Sequence, residues 1–199
     1  MSDPEILSGG FSNPVFQSQA VFRAVLDAFA KPGTVQPIPP VVHPPAVLHP
    51  AAAAFIGAFA DSDTSVWLDR SFAGSNAGGW IAFQTGAPLT DDAEAASFAL
   101  VGDASALSRL DAFALGTEEY PDRSATLIIQ IGGFDGASPL VVEGPGVPGE
   151  RSFRPDPLPA SIIGLLEANR ALYPRGVDLV LAAPDALAAL PRSVRVRAA

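Results

Sequence analysis

Two short segments of the chain are apolar at consecutive positions, and this pattern limits the folds that the chain can adopt. Ser124–Ile131 contains the apolar run Leu127–Ile129, and Val177–Ala182 is apolar at every position except one. Successive side chains of a strand lie on opposite faces, so such a run indicates a strand that is covered on both sides. The two segments therefore predict a layered α/β domain with a buried sheet.

An amphipathic helix is predicted within Phe16–Val35, ended by a Pro-Gly pair at positions 32–33. Arg23, Asp27 and Lys31 lie four residues apart on one face, where each pair of opposite charges contributes about 0.2–0.5 kcal/mol. The i, i+3, i+4, i+7 spacing predicts that another face packs on the core through Phe22, Val25, Leu26 and Phe29.

The other periodic segments alternate between strands and helices. Further strands are predicted at Ser65–Asp69, Ser97–Val101, Leu140–Glu143 and Ser193–Arg197. Further helices are predicted at Ala51–Ala60, Ala104–Leu110, Pro159–Leu172 and Asp185–Leu190. This interleaving predicts a mixed sheet that is mostly covered by other elements.

Length and composition predict a single domain over residues 1–199, with a substantial core. The 12 basic and 21 acidic residues give a net charge of −9, which disfavours nucleic acid and repels free nucleotides and phosphonates at long range. An anionic substrate would therefore need a local arginine cluster or a partner subunit. The first ten residues lack a signal-peptide pattern and no apolar run approaches ~18 residues, so a cytoplasmic location is predicted.

The usual catalytic and metal-binding patterns are missing from the sequence. His43 and His49 lie six residues apart and no cysteine can join them, so no metal site is predicted. No G-x-S-x-G elbow is present. The single lysine, Lys31, directly precedes Pro32, which is a poor position for a pyridoxal phosphate (PLP) imine. We therefore predict no cofactor and name no catalytic residue.

Two groups of charged residues enter predicted strands and are candidate contacts for an anion or a partner. Glu119 and Arg123 belong to a loop of carboxylates, a phenol and hydroxyls before Ser124–Ile131, and the arginine can bind a phosphonate or pair locally in a solvated loop. Arg175 and Asp178 enter the next inner strand, where they can form a structural ion pair or contact an anion.

Several sequence blocks occur in an order that resembles one known family. The helix and its lead-in read FxNPVxxxQxVFRAVLxAFAxPGTV from Phe11 onward. Further similar blocks are Asp63–Asp69, Phe83–Leu89, Gly116–Leu127, Glu143–Val147, Tyr173–Leu181 and Leu190–Arg192. Together they resemble the PhnH family, a subunit of the bacterial carbon–phosphorus lyase machinery for phosphonates.

The resemblance implies a three-layer α/β/α fold with a mixed sheet, similar to the large domain of PLP-dependent transferases but without PLP. It implies a subunit role in forming alpha-D-ribose 1-methylphosphonate 5-triphosphate from ATP and an alkylphosphonate, with release of adenine. The implied partners are PhnG, PhnI, PhnJ and PhnL, with a homodimer when the chain is isolated. A non-catalytic scaffold of that complex and an independent enzyme acting on a small anion are the alternatives.

Overall fold

The computed structural model describes residues 4–199 and contains one large sheet and one small sheet. The ten strands are β1 (Gln36–Pro37), β2 (Val66–Leu68), β3 (Leu89–Thr90), β4 (Phe98–Val101), β5 (Thr126–Gln130), β6 (Leu140–Gly144), β7 (Val147–Phe153), β8 (Asp178–Ala182), β9 (Ala186–Leu190) and β10 (Arg195–Ala198). The large sheet has the order β1-β9-β8-β5-β4-β2-β3. Strands β3, β2, β4, β5 and β8 run parallel, β9 pairs antiparallel with β8, and β1 pairs antiparallel with β9, so the sheet is mixed as predicted.

The central strands are buried on both faces, which confirms the prediction from the two apolar segments. In β5, Ile128 belongs to the core on one face, whereas Leu127 and Ile129 belong to the core on the other. Strand β8 repeats this division, with Val180 on the first face and Leu179 on the second. Two separate hydrophobic cores therefore hold the large sheet between them.

Helices cover the first face of the sheet. They are α1 (Pro4–Leu7), α2 (Pro14–Ala30), α3 (Pro50–Phe59) and α4 (Ala77–Thr85). Helix α3 was predicted, and six consecutive residues from Ala51 to Ile56 are buried. Helix α4 was not predicted, because Gly78 and Gly79 weaken its helical pattern. Gly79 lies close to α1, since a Cβ there would be 2.9 Å from the end of the Ile6 side chain, which would have to shift.

The predicted packing face of α2 is partly wrong. Val21, Val25 and Ala28 are its buried residues, whereas Phe22 and Leu26 are 42% and 50% exposed. The buried face of α2 thus runs through Val21, Val25 and Ala28, and Phe22 lies beside it with its ring stacked on Phe59 of α3, 5.3 Å between centroids. At the end of α2, Lys31 pairs with Asp27 at 3.0 Å, as predicted.

Helix α5 (Ile162–Arg170) and the small antiparallel sheet, in the order β10-β6-β7, cover the second face. Val142 of β6, Val196 of β10 and Leu166 of α5 all belong to the core on this face. The outer layer is therefore a helix and a sheet together, whereas the predicted α/β/α arrangement has helices alone. Strand β7 was not predicted, and it completes the hairpin that follows the predicted β6.

Two predicted helices are wrong. Asp185–Leu190 forms β9, which pairs with β8 and is buried from Leu187 to Leu190. Three alanines favour a helix locally, but burial on both faces and strand pairing override that propensity. Ala104–Leu110 contains only a short 3₁₀ turn, Ala104–Ala106.

No helix within residues 4–199 combines the length and apolar character needed to cross a membrane. The prediction of one domain also includes residues 1–3, which lie outside the described part of the chain.

Candidate functional site

The candidate residues from the sequence all lie at one edge of the large sheet, at the amino ends of its parallel strands. Arg123 precedes β5, Arg175 precedes β8, and Asp178 is the first residue of β8. The backbone N–H of Gly176 donates to the carbonyl of Leu115 at 2.9 Å, which joins the loops that precede these two strands. We call this region the amino edge.

Asp178 forms an ion pair at the amino edge, but its partner is Arg192 and not the predicted Arg175. The Nη2 atom of Arg192 lies 2.6 Å from Oδ2 of Asp178, and its Nε donates to Oδ1 at 3.1 Å. The side chains are 12% and 20% exposed for Arg192 and Asp178 respectively. Sequence proximity suggested Arg175, but antiparallel pairing of β8 with β9 brings the loop after β9 beside the start of β8.

The same guanidinium joins three loops. Arg192 donates from Nη1 to the carbonyl of Pro121 at 2.8 Å and from Nη2 to Oγ of Ser124. A longer hydrogen bond of 3.5 Å reaches the carbonyl of Pro174. Its donors are therefore directed to protein acceptors, and we interpret this pair as structural.

Arg123 and Arg175 are the arginines of the amino edge that remain available. The guanidinium of Arg123 lies over the ring of Tyr120, 4.2 Å from its centroid, and forms no ion pair with a residue in 4–199. Within the same range, Arg175 makes no side-chain hydrogen bond or ion pair. Glu119 is exposed beside them. This arrangement presents the exposed Arg123, the partly exposed Arg175 and an aromatic ring, which is a composition common in protein interfaces.

The opposite edge of the sheet contains a cleft that the sequence analysis did not identify. It lies at the carboxyl ends of β2 and β4 and has a volume of about 1050 Å³. Its polar lining residues include Asp69, Arg70, Asp91 and Asp103, beside Trp67. The available sequence signal was the Asp69-Arg70 pair at the carboxyl end of the predicted strand Ser65–Asp69, a position where parallel sheets often bind ligands.

Asp69 holds the two loops of this cleft together. Its Oδ1 accepts hydrogen bonds from the backbone N–H of Ser71 at 2.9 Å and from the hydroxyl of the same residue. Its Oδ2 accepts from the backbone N–H groups of Gly102 at 3.0 Å and Asp103 at 3.2 Å. Four donors therefore satisfy this carboxylate, and it joins the loop after β2 to the loop after β4.

Shifted pKa values occur at exposed ion pairs away from both edges. A hydrogen bond from Arg109 lowers the pKa of Asp111, and the same contact raises the pKa of Arg109. A hydrogen bond to Glu143 raises the pKa of Arg197, which pairs with that residue across the small sheet at 3.1 Å.

The cofactor and metal predictions concern other residues. Lys31 is exposed at the end of α2 and paired with Asp27, which is a poor environment for an imine. Nδ1 of His49 lies 3.2 Å from the carbonyl oxygen of Ala182. No group of three or more His, Cys, Asp or Glu residues within 4–199 is arranged to hold a metal ion.

Comparison with known proteins identifies the family. The family model for bacterial phosphonate metabolism protein (PhnH) matches residues 9–197. The chain belongs to the PhnH family. A relative from Rhizobium meliloti (strain 1021), named alpha-D-ribose 1-methylphosphonate 5-triphosphate synthase subunit PhnH, is 43% identical over 192 residues, which cover 96% of each protein. The resemblance of the ordered blocks to PhnH is therefore confirmed, and the PhnH match includes both edges of the sheet.

Proposed function

We propose that the chain is a subunit of the synthase that forms alpha-D-ribose 1-methylphosphonate 5-triphosphate in phosphonate catabolism. The observation that carries this proposal is the relative of that name, which is 43% identical over 96% of both proteins. Such similarity along the whole chain supports the same place in the same assembly. The reaction consumes ATP and an alkylphosphonate and releases adenine.

We propose that the chain acts only as part of a multi-subunit transferase within the carbon–phosphorus lyase system, in the cytoplasm. It has no cysteine, two histidines and one lysine, so it has few side chains for covalent or acid–base chemistry. PhnG, PhnI, PhnJ and PhnL are the proposed partners. The alternative within this proposal is a non-catalytic scaffold. Similarity to the large domain of PLP-dependent transferases, without PLP, stays a prediction.

The amino edge is our proposed contact for an anion or a partner subunit. Arg123, Arg175 and Glu119 present their charges to the outside of this edge, while Asp178 fixes Arg192 beneath them. A docking role is supported by the two exposed tyrosines nearby, Tyr120 at 48% and Tyr173 at 64%, because tyrosine and arginine are enriched in interfaces.

For the isolated chain we propose a homodimer formed through α2. Val15, Phe22 and Leu26 form an exposed apolar stripe along this helix, 75%, 42% and 50% exposed. Their spacing by seven and four residues matches the seam of paired helices. In light scattering after gel filtration, Leu26→Glu should yield monomers and Tyr173→Glu should leave dimers. Dimers of the Leu26→Glu protein would contradict this interface.

Reconstitution tests the proposed function directly. Purified partner subunits, ATP and methylphosphonate are incubated with or without the chain, and adenine release is measured by chromatography. We expect release to require the chain, and the Rhizobium meliloti relative to replace it. Equal adenine release without the chain would contradict the proposal. Arg123→Gln with Arg175→Gln should reduce release by weakening either anion binding or assembly, and pull-down of the partners separates these two causes.

A further inference from the structure

The cleft at the carboxyl ends of β2 and β4 lies at a topological switch point of the large sheet. From β2 the chain crosses the first face through α4 and reaches β3, which is the outermost strand on that side of the sheet. From β4 the chain crosses the opposite face, where Leu107, Leu110 and Phe113 join the second core, and reaches β5. The two connections leave in opposite directions, so a crevice opens between them, and open α/β sheets bind ligands at such crevices.

Some charged groups that line this cleft have hydrogen-bond partners within the protein, and others do not. The carboxylate of Asp69 has four donors, and Oδ1 of Asp103 accepts from the backbone N–H and hydroxyl of Ser105 at 3.0 and 2.6 Å. Within residues 4–199, Arg70 and Asp91 make no side-chain hydrogen bond or ion pair. The guanidinium of Arg70 and the carboxylate of Asp91 are both exposed in the cleft and are therefore available to a ligand.

An aromatic side chain lies in the same lining. Trp67 is only partly buried, and its ring packs edge to face against Phe113 with the centroids 5.3 Å apart. That contact fixes the orientation of the indole, while part of its surface lines the cleft. A fixed aromatic surface suits stacking of a planar group.

We propose that this cleft binds a nucleotide. Arg70 would bind the phosphate oxygens bidentately, Asp91 would accept hydrogen bonds from the ribose hydroxyls, and Trp67 would stack on the base. The volume of about 1050 Å³ accommodates a ligand of this size and is larger than a simple alkylphosphonate needs.

Charge limits the form in which the nucleotide binds. Asp69, Asp91 and Asp103 outnumber Arg70 in the lining, so a fully ionised triphosphate would be repelled. Magnesium that arrives with the phosphates reduces their negative charge, so the magnesium complex is repelled less than free ATP and is the form proposed here. This inference rests on the proposed function, in which ATP is a substrate.

The two tryptophans of the chain allow a direct test of binding. Trp80 is 1% exposed, while Trp67 lines the cleft, so stacking of adenine on Trp67 should quench only its part of the fluorescence. The isolated chain is titrated with ATP in excess magnesium, and equilibrium dialysis measures binding independently. We expect Arg70→Gln to weaken binding roughly tenfold or more, because a charge-assisted bidentate contact is lost. Arg195→Gln, which removes an exposed cation from β10 of the small sheet, should bind as the wild type does.

Further arms separate the parts of the ligand. Trp67→Phe should lose most of the quenching, and adenosine and inorganic triphosphate should each bind more weakly than ATP. The proposal is overturned if dialysis detects no ATP binding, if Arg70→Gln binds ATP equally well, or if quenching persists in Trp67→Phe. These measurements use the isolated chain and no turnover. If the chain does not bind ATP but adenine release still requires it, the nucleotide site alone is rejected. If the chain binds ATP but adenine release does not require it, the proposed function alone is rejected.

Discussion

The two edges of the large sheet each use one charged side chain to fix neighbouring loops, but they leave different groups unused. At the amino edge, Arg192 joins three loops and pairs with Asp178. At the carboxyl edge, Asp69 joins two loops through backbone amides and a hydroxyl, and Arg70 beside it has no partner among residues 4–199. Beside the cleft, the carboxylate of Asp69 therefore has a structural role, while the guanidinium of Arg70 remains available to a ligand.

The comparison shows why charge alone is a poor guide to a binding site. Arg192 is a mostly buried cation near a small open hollow, yet its donors already have acceptors. Arg70 is less buried but lines a much larger cleft. A ligand site needs polar groups that have no hydrogen-bond partner in the protein, and it needs enough space beside them for the ligand.

The largest expected effect is at the amino edge. Arg192→Ala removes the cation from a mostly buried carboxylate, and we expect a loss of about 3 kcal/mol in the free energy of unfolding. Urea denaturation followed by circular dichroism measures it. Arg175→Ala is the matched control and should have little effect, since Asp178 does not pair with it. If both variants lose the same free energy of unfolding, the result would favour the ion pair between Arg175 and Asp178 that the sequence predicted.

A smaller effect is expected for Asp69→Ala at the carboxyl edge. This variant leaves backbone donors of two loops without their acceptor, which should cost about 2 kcal/mol in the same denaturation experiment. Asp91→Ala removes a carboxylate of the same cleft that has no partner in the described chain, and should change stability by less than about 0.5 kcal/mol. If the two variants are equally stable, Asp69 does not fix the loops.

Close packing of the two cleft loops predicts an effect for Gly102→Ala. The added Cβ would lie 2.2 Å from Oγ of Ser71 and 3.0 Å from the ring of Phe72, so the loops must separate at a cost of about 1–2 kcal/mol. Gly164→Ala, where a Cβ meets nothing within 4 Å in α5, should instead stabilise the protein by roughly 0.5–1 kcal/mol. Thermal unfolding compares the two, and a stabilised Gly102→Ala protein would show that the loops are not tightly packed.

A small loss of stability is expected for Arg123→Ala. Its stacking on Tyr120 is exposed, so the free energy of unfolding should fall by less than about 1 kcal/mol. A loss as large as that of Arg192→Ala would make Arg123 a structural residue and remove the support for a docking role at the amino edge.

The sequence identified most of the buried strands because their apolar runs are local and continuous. It failed where local preference and tertiary packing disagree, as in the alanine-rich β9, and where glycines obscured α4. It named Arg123 before one strand and Arg175 with Asp178 at the start of another, and the parallel order of β5 and β8 brings these two groups to the same end of the sheet. The pairing of Asp178 with Arg192 and the cleft beside Arg70 depend on strand order, which no local pattern encodes.

The apolar stripe of α2 has a consequence for how much of the chain a cell can hold. A monomer that pairs neither with a second copy nor with another subunit leaves Val15, Phe22 and Leu26 in water, and such surface is what chaperones and proteases recognise. We expect such monomers to be degraded, whereas homodimers and assembled copies survive. The helix would thereby link the lifetime of each copy to its association with a partner.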